Sequence, residues 1–264
     1  MIDKNDSYNV ASKQHTLLLM MMDFHEFCIN HDIAYSIIGG TLLGAIREKG
    51  FIPWDDDIDI LMDRENFEKF KILSENFNSY YLCEMLWVYK IVSRNIYDHQ
   101  GVNDDTPVLD VFIVDRVPSN KLKRKTKILL LKILQGMMKT KINTKKKFSI
   151  TYKVALMITG FLGNLFSIQN KQKMYFWVST WGNKEENQPL MICNDIFQSL
   201  GCEYEPGLMD EYTLIDFENI QLMAINNWSN YLTEQYATAL DHALLLLQTP
   251  CDWVDSDQID VLSL

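Results

Sequence analysis

The chain has 264 residues, 47% of them hydrophobic and 12% aromatic, which suits one large domain, or a domain with an embellishment, and excludes a largely disordered protein. Its formal net charge is −10, yet residues 116–184 hold 16 of the 25 Lys and Arg and none of the 35 Asp and Glu. A chain polarised in this way has one surface suited to anions and another that repels them.

Five cysteines, Cys28, Cys83, Cys193, Cys202 and Cys251, include no C-x-x-C pair. The odd count and the spacing exclude a disulfide framework and a zinc knuckle, and fit a reducing compartment. The start, Met1-Ile2-Asp3-Lys4-Asn5-Asp6, has neither the basic nor the apolar region of a signal peptide, so a cytoplasmic location is expected.

In chain order, Leu17 to Ile29 reads as a largely buried helix. Ile33 to Ile38 is a short β-prone run that stops at Gly39-Gly40. Thr41 is the expected N-cap of a helix over 42–49, with Gly50 as its C′ residue. After Pro53-Trp54, Asp57 to Met62 alternates strictly, which predicts a strand with Asp57 and Asp59 on one face and Ile58 and Ile60 on the other. Asp63 to Phe70 opens a further helix, and 80–92 and 108–114 read as strands. The order of these elements predicts an α/β (α+β) fold, a mixed sheet flanked by helices.

From Lys121 the character changes. Lys121 to Lys127 is basic, Ile128 to Leu134 is mostly apolar, and Lys145-Lys146-Lys147 precedes an apolar run, Val154 to Phe166. Neither apolar run reaches the roughly 18–20 residues of a spanning helix. The expected organisation is a catalytic core over 1–118, a basic helical insertion over 119–174, and a C-terminal part over 175–264 that completes the fold and the acceptor site.

Asp55, Asp56, Asp57 and Asp59 lie within five positions. Two carboxylates on one strand face repel unless they are protonated or share a cation, and hard oxygen ligands suit Mg²⁺ or Mn²⁺. Taken alone, the D-x-D could equally be a solvated acidic turn. An EF-hand is excluded, because Ile60 stands where the loop needs Gly and Asn66 where it needs Glu. A Gly-Gly turn opening a helix offers unpaired amides to an anion. Gly39, Gly40 and Thr41 before the acidic strand therefore suggest phosphate on one side and metal on the other. Asp110, a lone acid in the β-prone run Leu109 to Phe112, is the candidate third carboxylate, with Asp115 as competitor but read as a loop residue beside Pro118. The scattered His15, His25, His31, His99 and His242 form no H-E-x-x-H motif.

The run from Ile38 through Gly39-Gly40-Thr41-Leu42-Leu43-Gly44 to Pro53-Trp54-Asp55-Asp56-Asp57-Ile58-Asp59-Ile60 closely resembles the LicD family of the nucleotidyltransferase-fold superfamily, which includes bacterial phosphocholine transferases and is related to fukutin-type ribitol-phosphate transferases. Leu109 to Asp115 looks like the family's later acidic strand. Asp216-Phe217-Glu218-Asn219 and Tyr231-Leu232 match more weakly. The resemblance implies that Asp57, Asp59 and Asp110 bind metal and carry catalysis. Asp55 would be either a further ligand or an orienting residue. Gly39, Gly40 and Thr41 would hold donor phosphate, and Arg47 and Lys49 are candidates to clamp it.

The activity it implies is transfer of a phospho-alcohol, phosphocholine first, from a CDP-linked donor such as CDP-choline to a sugar hydroxyl of a cell-surface glycan or its lipid-linked precursor. CMP leaves, with Mg²⁺ or Mn²⁺ as cofactor. Alternatives are a nucleotidyltransferase that releases pyrophosphate, or a non-catalytic glycan- or membrane-binding partner. Trp54, Trp87, Tyr89, Trp177 and Trp181 are available to a choline head group, though none is singled out. The acid-free basic segment suggests contact with an anionic membrane surface, peripheral at the inner face. Nucleic acid is not expected as a partner, since the rest of the chain is so acidic.

Overall fold

A computed structural model describes residues 10–103, 105–139, 150–182, 187–197 and 199–237. Lys145-Lys146-Lys147, Cys251 and the part of the C-terminal segment beyond 237 lie outside the described residues. The described chain is α/β, with a mixed sheet flanked by helices. It divides into two compact units. One comprises the chain up to Cys83, Tyr89–Ile113 and the chain from Gly207; the other comprises Glu84–Val88 and Val114–Pro206.

In the first unit, α1 (Ala11–Asn30) starts earlier than the apolar run alone predicts. It buries Leu17, Met20, Met21, Phe24 and Cys28, a stripe at helical spacing. Phe24 meets the rings of Tyr35 and Phe70 edge-on, at 5.0 and 5.4 Å. β1 is only Ser36–Ile37, paired antiparallel with β2 (Ile58–Asp63) through Ser36 opposite Leu61 and Ile37 opposite Ile60. Between them runs α2 (Gly39–Arg47). α3 (Arg64–Leu73) is capped by Asp63, whose side chain accepts from the Asn66 amide at 2.7 Å.

The sheet order is β1-β2-β5-β4-β3, with β3 at Tyr80–Met85, β4 at Val88–Ser93 and β5 at Val108–Arg116. A short helix, α4 (Arg94–Gln100), links β4 to β5. The boundary between the two units falls inside β5, after Ile113. β6 (Leu190–Ile192) pairs antiparallel with the last residues of β5. Asp115, expected in a loop, is instead a buried β5 residue opposite Met191, because Leu190–Ile192 extends the pairing past Val114.

Late in the chain, β7 (Tyr212–Phe217) and β8 (Ile220–Ile225) form a hairpin within the first unit, followed by α8 (Trp228–Ala237). The hairpin grips β1. The Ile225 amide donates to Ser36 Oγ at 2.9 Å and the Met223 amide to Tyr35 Oη at 3.3 Å.

The second unit is built on α5 (Lys121–Met138), α6 (Ile150–Gly163) and α7 (Ile168–Thr180). Asn120 caps α5 by accepting from the Leu122 and Lys123 amides. Buried lysines work here as ties to backbone. Lys127 Nζ donates to the carbonyls of Arg116 and Trp181, and Lys171 Nζ to those of Met137 and Gly163, all at 3.2 Å. The Lys171 contacts place a cation against the last carbonyls of two helices, where the helix dipole favours positive charge.

Candidate metal and phosphate site

The site lies within the first unit. Asp57 sits one residue before β2 and Asp59 is its second residue; Asp110 is the third residue of β5, the strand beside β2. Asp57, Asp59 and Asp110 each offer a carboxylate oxygen, and all three oxygens lie within 4.8 Å of one another. A bound Mg²⁺ holds ligand oxygens about 2 Å from itself, hence about 3–4 Å apart. Small side-chain adjustments would let the three aspartates share one cation.

The electrostatics ask for such a cation. Burial, then Asp55, Asp110 and Asp56 in turn, push the Asp57 carboxyl well above the usual carboxylate range; Lys90 opposes them. Burial and then Asp56 push Asp55 up to about 6. Asp55 Oδ2 is buried with no hydrogen-bond partner. A buried carboxylate oxygen left unpaired costs free energy, and a cation shared by these side chains would remove that cost. The residues present therefore fit a hard divalent ion.

The start of α2 lies against the same carboxylates. Gly39 has φ +57°, and a Cβ there would stand 2.5 Å from Asp59 Oδ2. At Gly40 it would stand 2.9 Å from Asp55 Oδ2. Both glycines are required by the close approach of the acidic segment, and at Gly39 also by the left-handed backbone. Thr41 is not the N-cap. The helix starts three residues earlier than expected, with Ile38 at the cap position, and Thr41 Oγ1 instead accepts from the Asp59 amide at 2.9 Å. The Ile38 amide donates to the Asp59 carbonyl at 3.1 Å, so Asp59 is tied to α2 from both sides of its peptide unit.

Arg47 ends α2, about 12 Å from Gly39 at 1.5 Å per residue, and Lys49 follows just beyond the helix. Arg47 Nε is paired with Glu48 at 2.6 Å. Lys49, rather than Gly50, takes the left-handed conformation after the helix, with φ +62°. Gly50 is needed for a different reason: Glu218 packs where its Cβ would be. The aromatic residues Trp87 and Tyr89 are buried, Trp87 stacked on Tyr175 and Tyr89 packed on Phe67.

Several functional neighbours escaped sequence reasoning. Lys90, directly opposite Asp110 in the β4–β5 register, pairs with it at 2.9 Å. Its signal was available: one cation inside the apolar strand Val88 to Val92. Asp56, for which the motif alone gave no role, is ion-paired with Lys13 at 2.6 Å. Gln14 Nε2 donates to the Ile52 and Asp55 carbonyls. Thus the first turns of α1 pin the loop that carries the aspartates. Glu218, at the β7–β8 turn, accepts from the Phe51 amide at 3.1 Å and donates its own amide to the Lys49 carbonyl at 2.6 Å.

The site thus combines a short acidic strand, a Gly-Gly helix start and a third carboxylate on the next strand. The family model for the LicD/FKTN/FKRP nucleotidyltransferase domain matches residues 32–128, the part of the chain that carries all three aspartates. The chain is 27% identical over 245 residues to the lipopolysaccharide cholinephosphotransferase LicD of Haemophilus influenzae, covering 85% of this chain and 89% of that protein. An uncharacterized protein of Rickettsia prowazekii is 32% identical over 111 residues, 41% of this chain and 37% of its own length. Another from Rickettsia typhi is 46% identical over 54 residues, 20% of this chain and 18% of its own.

Proposed function

We propose that the protein transfers a phospho-alcohol, phosphocholine first among them, from a CDP-linked donor to a sugar hydroxyl of a cell-surface glycan or its lipid-linked precursor, releasing CMP. The observation that carries this reading is the convergence of Asp57, Asp59 and Asp110 beside the first turn of α2. The likeness to the Haemophilus influenzae cholinephosphotransferase over most of both chains supports phosphocholine as the group and lipopolysaccharide as the class of acceptor.

In this reading the first-turn amides of α2, at Gly39, Gly40 and Thr41, receive the donor's phosphate; helix starts leave such amides unpaired and favour negative charge. Asp57, Asp59 and Asp110, with Asp55 behind them, would hold Mg²⁺ or Mn²⁺. When bound, the ion neutralises the diphosphate and the charge on attacking and leaving oxygens. Asp110 takes the proton from the attacking sugar hydroxyl, and Lys90 holds its carboxylate in place. The new bond joins the sugar oxygen to the phosphorus of the phospho-alcohol, and the bond from that phosphorus to the oxygen bridging to CMP breaks. Arg47 and Lys49, at the opposite end of α2, gain no support from their placement as phosphate clamps. The expected place of work is cytoplasmic, at the inner face of a membrane that carries the acceptor.

The test is a mass-spectrometric screen with Mg²⁺, a panel of CDP-alcohols and candidate glycans. CMP appearing together with an acceptor heavier by one phospho-alcohol supports the reading. Release of pyrophosphate with a nucleotide joined to the acceptor would replace it with the nucleotidyltransferase reading.

A further inference from the structure

The second unit carries an apolar stripe with nothing packed on it among the described residues. Along α6 and the turn after it, Val154, Met157, Ile158, Phe161, Leu162 and Leu165 are all exposed, Met157 at 66%, Phe161 at 71% and Leu165 at 68%. Their spacing of three and four residues puts them on one side of the helix. The other side is engaged. Thr159 lies where a Cβ on Gly136 would go, and Gly163 is closed against the Met137 backbone. On α7, Trp177 is a further large exposed aromatic at 66%. Soluble surfaces rarely leave so many large side chains in water without a partner.

The charge of the surrounding sequence indicates what covers it. From Val154 to Gly163 there is no ionisable side chain, and across residues 116–184 there is no Asp or Glu against 16 Lys and Arg. Lys121, Lys123 and Lys125 on α5 and Lys173 on α7 are exposed. A strongly apolar face within the lysine-rich, acid-free stretch 116–184 matches the chemistry of an anionic bilayer surface, where apolar side chains enter the headgroup boundary and lysines meet lipid phosphates. The 14 residues of α6 span about 21 Å, short of a hydrocarbon core of about 30 Å, and among the described residues no helix is long and apolar enough to cross. A two-fold dimer through the stripe would bring two copies of the cationic stretch 116–184 together, which charge opposes.

We propose that the outer face of α6 docks the protein on an anionic lipid bilayer, with Met157, Phe161 and Leu165 entering the headgroup boundary. Docking neither needs nor tests the transfer reaction, since it is read without donor or acceptor. The experiment is vesicle flotation of the full chain at low salt, with phosphatidylcholine alone and with phosphatidylcholine containing phosphatidylglycerol. The wild type is expected to float with the anionic vesicles, to lose binding as salt rises, and to stay at the bottom with neutral ones. The double variant Met157→Glu, Phe161→Glu should keep the wild-type melting temperature, because both side chains are exposed, and lose about tenfold or more of the bound fraction. Absence of flotation with anionic vesicles at low salt overturns the proposal. Equal flotation of wild type and variant also overturns it. So does a dimer in size-exclusion chromatography that the variant dissociates without any vesicle binding, which would assign the face to a second copy of the chain.

Discussion

Lys90 stands directly across from Asp110, pairs with it, and offsets part of the charge that acts on Asp57. Removing it leaves these carboxylates less balanced, and a cation bound to the folded state alone stabilises by mass action. Lys90→Met is therefore expected to lower the metal-free melting temperature and to gain more from added Mg²⁺ than the wild type does. Equal gains in a thermal-shift titration would show that Lys90 is not part of the charge balance. A second residue-scale prediction concerns Asp195, whose carboxyl burial pushes up to about 6. Its value in the unfolded chain is the ordinary 3.8, so between these values the folded state holds more protons than the unfolded one. The penalty from its charge grows as pH rises from about 4 to about 6 and is fully present above. Asp195→Asn keeps an oxygen to accept from the Ile196 amide and removes the titration. The variant should be more stable than wild type at pH 8 by on the order of 1–3 kcal/mol, and equal or less stable at pH 3.5. Parallel urea midpoints across this range would contradict the assignment.

Among the elements, the β7–β8 hairpin does the most to hold the site from a distance in sequence. Its tip residue Glu218 clasps Lys49 and Phe51, and Phe217 meets the Phe51 ring at 4.8 Å. Glu218→Ala should cost about 1–2 kcal/mol through the lost bond to the Phe51 amide, while Glu218→Gln, which can still accept, should cost less; chemical denaturation separates the two. This hairpin shows where sequence reading stops. Alternation exposed β2 and the shared face of Asp57 and Asp59, and the lone acid in an apolar run exposed Asp110. Those signals are local. The hairpin's docking, β6 and the Lys90–Asp110 pair depend on partners far along the chain. β6 is three residues long and gains its identity only by pairing with β5. β1 shrank to two residues because its pairing with β2 involves only Ser36 and Ile37. Gly39 and Gly40 are poor helix formers, so propensity does not mark the start of α2; this end is anchored by the bonds of Ile38 and Thr41 to Asp59, a partner about 20 residues on.

For the whole molecule, charge separates two tasks. The acidic first unit gathers Asp57, Asp59 and Asp110 around a cation-demanding centre, and residues 116–184, which hold no acid, offer cations and an apolar stripe. The central claim is that the three aspartates beside α2 run a metal-dependent transfer. It is tested most directly by the rate of CMP release from CDP-choline in the presence of a glycan acceptor, followed through chelation and a Mg²⁺ titration in wild type and Asp59→Asn. The wild type should fall silent with chelator and recover with Mg²⁺, and the variant should stay on the order of 100-fold or more below it at every Mg²⁺ concentration. Turnover of the wild type that survives chelation, or an Asp59→Asn variant that turns over at the wild-type rate, would contradict the account.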